Sequence, residues 1–444
     1  MVGVHLEEFI LELVAAPDVH RDDLVGHAQF LEQDGDLLAV GRRPVVQIDH
    51  GSSDGDVREA QKPSVRRSPR FVNGVCWSQE GDREDHQVSE TWVRNAWYVA
   101  GWSHELEPGR ILARVIIDQP LALYRKADGQ VVVLEDRCCH RFAPLSMGRL
   151  EQDDLRCMYH GLKFAPDGRC VEIPGQKLIP QSAFVRRYPA VERGGWMWIW
   201  MGDEALADPA SIPGSIALDD PDYRMRSGQL DYAAHYLLID DNLLDLSHLS
   251  FAHEKTLGLD MPQWADERPR ILPLERGLRV QRWLRGQPSR SFMKRWGEAL
   301  DLWNSYDFLF PGIFLLRTAF YPVGTAERCR LQPPSEPPLF LRYDDQAVTP
   351  MTARTSRYFY AAGARSADLD EDRVGRLYAI VEAAFNEDKA IIEAQQKLID
   401  MDPGRRMLPT SLDAGPTQFR KLVQTLLDHD GQPSPLANAT TQVG

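Results

Sequence analysis

The stretch RCCHRFAPLSMGRLEQDDLRCMYHGLKF, Arg137 to Phe164, constrains this 444-residue chain more than any other. It holds two mixed pairs, Cys138-x-His140 and Cys157-x-x-His160, with sixteen residues between His140 and Cys157. The flanking segments LALYRKADGQVVVLED and LKFAPDGRCVEI alternate apolar and polar residues around Asp128-Gly129 and Asp167-Gly168, dipeptides that favour tight hairpin turns. The pairs are therefore predicted to sit on loop tips of a β-rich unit. That unit starts near Trp92 and closes near Gly202, on a strand with Trp196, Trp198 and Trp200 at period two. A zinc finger normally gathers Cys with Cys on one arm and His with His on the other, whereas each arm here is mixed.

A [2Fe–2S] cluster held by two cysteines on one iron and two histidines on the other explains the mixture directly, with zinc or a chance grouping as the competing readings. On these residues the segment resembles a Rieske centre, which implies Cys138 and Cys157 on one iron and His140 and His160 on the other. The extra Cys139 reads as a small buried filler, because neighbouring side chains on an extended tip point apart while Cys138 and His140 share a side. Only six cysteines occur in the chain, too few for a disulfide scaffold and more in keeping with metal chemistry in a reducing compartment. The net charge of -14 argues against nucleic acid as a partner. No run of eighteen apolar residues is present to cross a membrane, and the first residues lack a basic signal-peptide region, so the expectation is a cytoplasmic protein.

Residues 1–90 carry about nine of the fourteen net negative charges and show little periodicity, which predicts a weakly ordered extension or a start assigned too early. The β-rich unit is expected over 91–205, a second, α+β domain over 206–430, and a tail over 431–444. In the second domain long helices are predicted over Tyr232–His253 and Arg373–Ile399, flanking strand-like runs such as YDFLFPGIFLLRTAFY and TSRYFYAAG.

A cluster only moves electrons, so a second centre is expected to use them. At 100° per residue, Asn242, Asp245, His248 and His253 of DNLLDLSHLSFAH fall within an arc of roughly 140° on one helix face. A non-haem Fe(II) site needs a carboxylate to complete a face with two histidines. On the helix RVGRLYAIVEAAFNEDKAIIEAQQ, Asp388 lies in the middle of the stripe of Val374, Leu377, Val381, Phe385 and Ile392, while Glu382, Glu387 and Glu393 point toward solvent. A lone carboxylate on an apolar face is costly without a partner such as a metal, so Asp388 is the expected third ligand, with pairing to an arginine as the alternative. Asp245 is expected to act beside the iron, accepting a histidine N–H or reaching an imidazole of a partner.

The motifs VRNAWYVAGW, DRCCHRFAPLSMG, CMYHGLKF, IPGQ, DNLLDLSHLSFAH and NEDKAIIEAQQ, spread over about residues 92–428, resemble the oxygenase components of Rieske non-haem iron oxygenases. The likeness is to the branch of vanillate O-demethylase, dicamba O-demethylase and toluenesulfonate methyl-monooxygenase. It implies an all-β Rieske domain followed by a helix-grip catalytic domain, and a homotrimer in which Asp245 bridges a neighbouring subunit's Rieske histidine to the iron. It also implies O₂ as co-substrate and electrons from NAD(P)H through a separate flavin- or ferredoxin-type reductase. The implied reaction is O-demethylation or methyl hydroxylation of a small aromatic acid. Ring cis-dihydroxylation, hydroxylation of a steroid-like or alicyclic substrate, and a pure electron-transfer role remain as alternatives. The aromatic run Trp303–Tyr321 suggests an apolar pocket, with Arg317 or Arg357 placed to hold a carboxylate.

Overall fold

The first strand, β1 (Ala96–Trp102), pairs antiparallel with the tryptophan strand that ends the β-rich region, so the two ends of that region are stitched together. The structure is a computed structural model and describes residues 92–254, 256–257, 264–289 and 291–429; the expectations for residues 1–90 and for the tail lie outside these. Between the two ends run β2 (Ile111–Ile116), β3 (Gln119–Arg125), β4 (Val131–Glu135), β5 (Arg149–Glu151), β6 (Asp154–Arg156), β7 (Lys163–Phe164), β8 (Cys170–Glu172), β9 (Ala190–Arg193) and β10 (Trp196–Met201). They form three sheets, β1-β10-β9, β2-β3-β4 and β5-β6-β7-β8.

The hairpin turns lie where the dipeptides predict them. Lys126 N–H donates to the Gln130 carbonyl at 3.0 Å across the β3–β4 turn, and Ala165 N–H to the Arg169 carbonyl at 2.9 Å across the β7–β8 turn. Gly168 is needed for two reasons: its φ is +87°, and a Cβ there would lie 2.1 Å from the Val185 carbonyl oxygen. Strand β10 is buried on both faces. Trp196, Trp198 and Trp200 pack with Trp97, Phe359 and Ala361, while Met197, Ile199 and Met201 join the main core.

The second region is built on a seven-stranded antiparallel sheet: β11 (Tyr223–Tyr232), β12 (Arg270–Leu274), β13 (Gly277–Pro288), β14 (Ala299–Leu309), β15 (Ile313–Pro322), β16 (Phe340–Thr352) and β17 (Thr355–Arg365). Its order is β11-β17-β16-β15-β14-β13-β12. Among the described residues, five α-helices accompany it: α1 (Tyr236–Leu244), α2 (Leu249–Ala252), α3 (Thr325–Arg328), α4 (Glu371–Met401) and α5 (Ala414–Asp428). Helix α4 lays the predicted stripe on the sheet, with Phe385 edge-on to Tyr358 and Tyr360 at ring separations of 5.1 and 4.8 Å. An α+β domain thus follows an all-β one.

One expectation is corrected here. Tyr232–His253 is not a single helix, because Tyr232 ends β11, α1 stops at Leu244, and Asp245 leaves the helical conformation (φ -120°, ψ 89°). The chain restarts as a 3-10 turn over Leu246–His248 that runs into α2. The break has a local cause: the Asp245 carboxylate accepts from Ser247 N–H at 2.9 Å, offering the backbone an N-cap in place of a continuing helix.

The two regions share one core. Val93, Tyr98, Leu121 and Ile199 cluster with Leu243, Leu278, Tyr306 and Phe385. Direct hydrogen bonds also join them, from Thr349 Oγ1 to the Val99 carbonyl (2.7 Å) and from Trp102 Nε1 to the Gly228 carbonyl (3.1 Å).

Candidate functional site

The two Cys/His loops are near copies of one another. In the first, Cys138 N–H donates to the Ala143 carbonyl at 2.9 Å and Phe142 N–H returns to the Cys138 carbonyl at 2.9 Å. In the second, Cys157 N–H donates to the Leu162 carbonyl at 2.8 Å and Gly161 N–H returns to the Cys157 carbonyl at 3.1 Å. The residue four beyond each cysteine, Phe142 or Gly161, has positive φ (57° and 77°) and turns the tip back. The result is an oriented set of donors: both thiols are 2% exposed, while His140 and His160 stand at the surface with ring centroids 4.6 Å apart. Burial pushes the Cys138 thiol up to about 12, so metal loading must displace its proton. Cys139 is half-buried and packs on the small core that contains Leu134, Leu145 and Phe164, as a filler should.

The second set comes together from three elements. His248 Nε2 lies 3.6 Å from Asp388 Oδ1 and His253 Nε2 lies 3.2 Å from Asp388 Oδ2. One donor atom from each of the three residues falls within 4.8 Å of the others. Both imidazoles are fixed from behind by groups that can only accept. His248 Nδ1–H donates to the Asp245 backbone carbonyl at 2.6 Å, and His253 Nδ1–H to Glu387 Oε2 at 2.8 Å. An acceptor on Nδ1 leaves the Nε2 lone pair free, and both Nε2 atoms face Asp388. Asn242 Nδ2 donates to Asp388 Oδ1 at 3.0 Å and lies 3.4 Å from His248 Nε2. Burial lowers the pKa of His248; at His253 burial also pulls down, but Asp388 and Glu387 outweigh it and the net shift is upward.

Three expectations about side chains change. Glu387 is half-buried and engaged rather than free in solvent: its carboxylate accepts from both His253 and Thr256 Oγ1, the latter at 2.7 Å. The sequence signal was its position beside Asp388, which the helical projection overrode. Asp245 holds His248 through its backbone carbonyl, while its carboxylate caps Ser247. The candidate anion holders are engaged or misdirected. Arg357 forks onto Asp231 at 2.5 and 2.7 Å, and Arg317 is in register with Ser305 and Tyr343, on the sheet face opposite to Tyr306, Leu316 and Asp344.

Comparison with known proteins agrees with this geometry. Residues 96–189 match the Rieske [2Fe-2S] domain and residues 232–429 the vanillate O-demethylase oxygenase C-terminal domain. The chain is 40% identical over 344 residues to the iron–sulfur subunit of a toluene-4-sulfonate monooxygenase system from Comamonas testosteroni, covering 76% of this chain and 97% of that one. This chain belongs to the Rieske oxygenase family. It is also 37% identical to the oxygenase component of dicamba O-demethylase from Stenotrophomonas maltophilia, over 69% of this chain and 89% of that protein. The crystal structure of dicamba monooxygenase bound to dicamba superposes with a TM-score of 0.68 at 32% identity, covering 77% and 99% of the two chains. As a Rieske oxygenase the chain combines a [2Fe–2S] domain with a non-haem iron oxygenase domain, and its donor sets suit both groups: buried thiols opposite surface imidazoles, and two Nε2 atoms facing a carboxylate. Among the described residues no helix is long and apolar enough to cross a membrane.

Proposed function

We propose that this chain is the terminal oxygenase of a multicomponent monooxygenase. It draws electrons originating in NAD(P)H from a separate flavin- or ferredoxin-type reductase. It oxidises a small aromatic acid by O-demethylation or methyl hydroxylation. The names of its relatives, which act on toluene-4-sulfonate, dicamba and vanillate, support this substrate class. In this reading Cys138 and Cys157 hold one cluster iron and His140 and His160 the other, while His248, His253 and Asp388 hold the mononuclear iron. The domains run 91–205 and 206–430, residues 1–90 and 431–444 are additional to the catalytic body, and the protein works in the cytoplasm.

The bound metals supply one-electron transfer and activation of O₂; the chain's residues set the conditions. Asp388 brings the negative charge of the ligand set, and Asn242 holds one of its oxygens with an N–H donor. Glu387 and the Asp245 carbonyl keep both histidines in the Nδ1–H tautomer. Asp245, at the break before His248, is the residue through which electrons pass from the Rieske histidine of a neighbouring copy in a homotrimer. The fixing of both imidazole tautomers toward one buried carboxylate carries the reading, because a histidine pair with no metal to meet gains nothing from it.

The test is iron per chain together with product analysis. Anaerobically purified protein should hold two cluster irons and one more, and with a surrogate reductase and O₂ it should release formaldehyde from methoxyarenes or form benzylic alcohols from methylarenes. A cis-diol product would replace this reaction with ring dihydroxylation. Cluster iron alone, with no oxidation of any arene, would make the chain an electron carrier.

A further inference from the structure

On the face of the sheet that α4 covers, Arg282, Asn304 and Thr318 stand directly across from one another on β13, β14 and β15. Arg282 is 5% exposed and Asn304 1% exposed. The guanidinium lies over the Trp264 ring at 5.3 Å and donates through Nη1 to the Trp264 carbonyl at 3.2 Å, but meets no carboxylate among the described residues. Its Nε, the Trp264 indole N–H and Asn304 Oδ1 are all buried without a hydrogen-bond partner there. Buried polar atoms are rarely left this way, and a buried cation without a counter-charge rarer still. By contrast Arg342, next in the row on β16, is paired with Asp344.

One side chain connects this patch to α1, the helix that carries Asn242. Arg282 lies beside the Tyr306 phenol, close enough to act on it electrostatically, and the Tyr306 hydroxyl donates at 2.9 Å to the Leu244 carbonyl, in the last turn of that helix and just before Asp245. A group held by Arg282 is therefore held on the same side of the sheet as the iron ligands.

We propose that Arg282, with Asn304 and the Trp264 indole N–H beside it, receives the anionic head of the aromatic substrate, a carboxylate or sulfonate, and so selects for acidic arenes. The inference rests on the oxygenase reading above and replaces Arg317 and Arg357 as the anion-holding residues. A guanidinium offers a fork of N–H donors suited to either oxyanion, and the amide of Asn304 can turn its Nδ2 toward the same oxygens. The buried cation then gains its missing counter-charge only when substrate is bound.

Titration calorimetry on the anaerobic, iron-loaded holoenzyme tests this, with toluene-4-sulfonate and vanillate as anions and toluene-4-sulfonamide and vanillyl alcohol as neutral counterparts. Wild type should prefer the anions. Arg282→Met should weaken them by roughly 10- to 150-fold, the worth of a hydrogen bond to a charged group, and leave the neutral compounds within about threefold. Arg282→Lys should recover part of the loss, and Arg317→Met should change nothing. Asn304→Asp, which sets a carboxylate beside the guanidinium, should exclude the anions even if Arg282→Met does not fold. Undiminished anion binding in Arg282→Met or Asn304→Asp, or a wild-type preference for the neutral compounds, overturns the assignment while the oxygenase reading stands. Absence of the mononuclear iron from wild type would instead be the failure of that reading.

Discussion

Glu387 should set how tightly the mononuclear site holds iron. One of its oxygens accepts from both His253 Nδ1, at 2.8 Å, and Thr256 Oγ1, at 2.7 Å. The carboxylate makes the imidazole a better donor and locks the ring with Nε2 toward Asp388. A hydrogen bond to a charged group contributes about 1.5–3 kcal/mol. The Glu387 side chain is 31% exposed, so solvent screening brings this toward the lower end. Glu387→Gln keeps the shape and an acceptor oxygen but loses the charge. It should weaken iron binding about tenfold, or ~1.4 kcal/mol, and Glu387→Ala should approach 100-fold. The assay is anaerobic competition for Fe(II) with a chelator of known affinity, with the cluster followed separately by its visible absorption. Iron affinity within about twofold of wild type in both variants would refute the argument, as would parallel loss of the cluster.

Cys138→Ser should abolish the reduced-cluster electron paramagnetic resonance signal and Cys139→Ala should retain it; loss in both would end the reading of Cys139 as filler. Asp388→Ala should lose the mononuclear iron and keep the cluster, whereas Asp245→Asn should keep both and lose nearly all turnover, judged by iron per chain and single-turnover transfer from a pre-reduced cluster. Asp345, 2% exposed and bonded to Ser215, has its carboxyl pushed from 3.8 to about 7, first by burial and then by Asp344 and Asp219. The folded chain therefore keeps a proton that the unfolded chain has released. The stability from this group is whole below about pH 4 and falls as pH rises through about 7, by ~4 kcal/mol in all. Asp345→Asn should narrow the difference in urea midpoint between about pH 5 and about pH 8; an unchanged difference would show that Asp345 titrates normally.

The ligand set was legible because each signal was local. The mixed Cys/His pairs stand close together in sequence, on the loops that follow β4 and join β6 to β7, and Asp388 interrupts an apolar stripe that a regular helix carries intact from Val374 to Ile392. What escaped depended on backbone irregularity or on tertiary approach. Projecting Asn242 through His253 on an ideal helix missed the Asp245 break, because capping by an aspartate side chain competes locally with helix continuation and periodicity does not register it. The same projection sent Glu387 to solvent, and only the arrival of His253 and Thr256 from a distant segment makes its half-buried carboxylate a partner in the site. Arg282 gave no signal at all, since a single arginine in a strand acquires meaning only from its cross-strand neighbours.

The break at Asp245 makes iron a fastener as well as a reagent. Upstream of it, α1 is tied into the core through Leu238, Ile239, Leu243 and Leu244; downstream, a 3-10 turn and one short helical turn carry both histidines. Segments that short gain little from helical cooperativity, so their order depends on what grips their side chains. A metal bridging His248 and His253 to Asp388 would pin this turn to the long helix α4, so the free energy of binding iron and that of ordering the turn are one quantity. Amide exchange across Leu246–Ala252 should then report iron occupancy as faithfully as activity does, and iron starvation should expose this turn to proteases before the rest of the domain loosens.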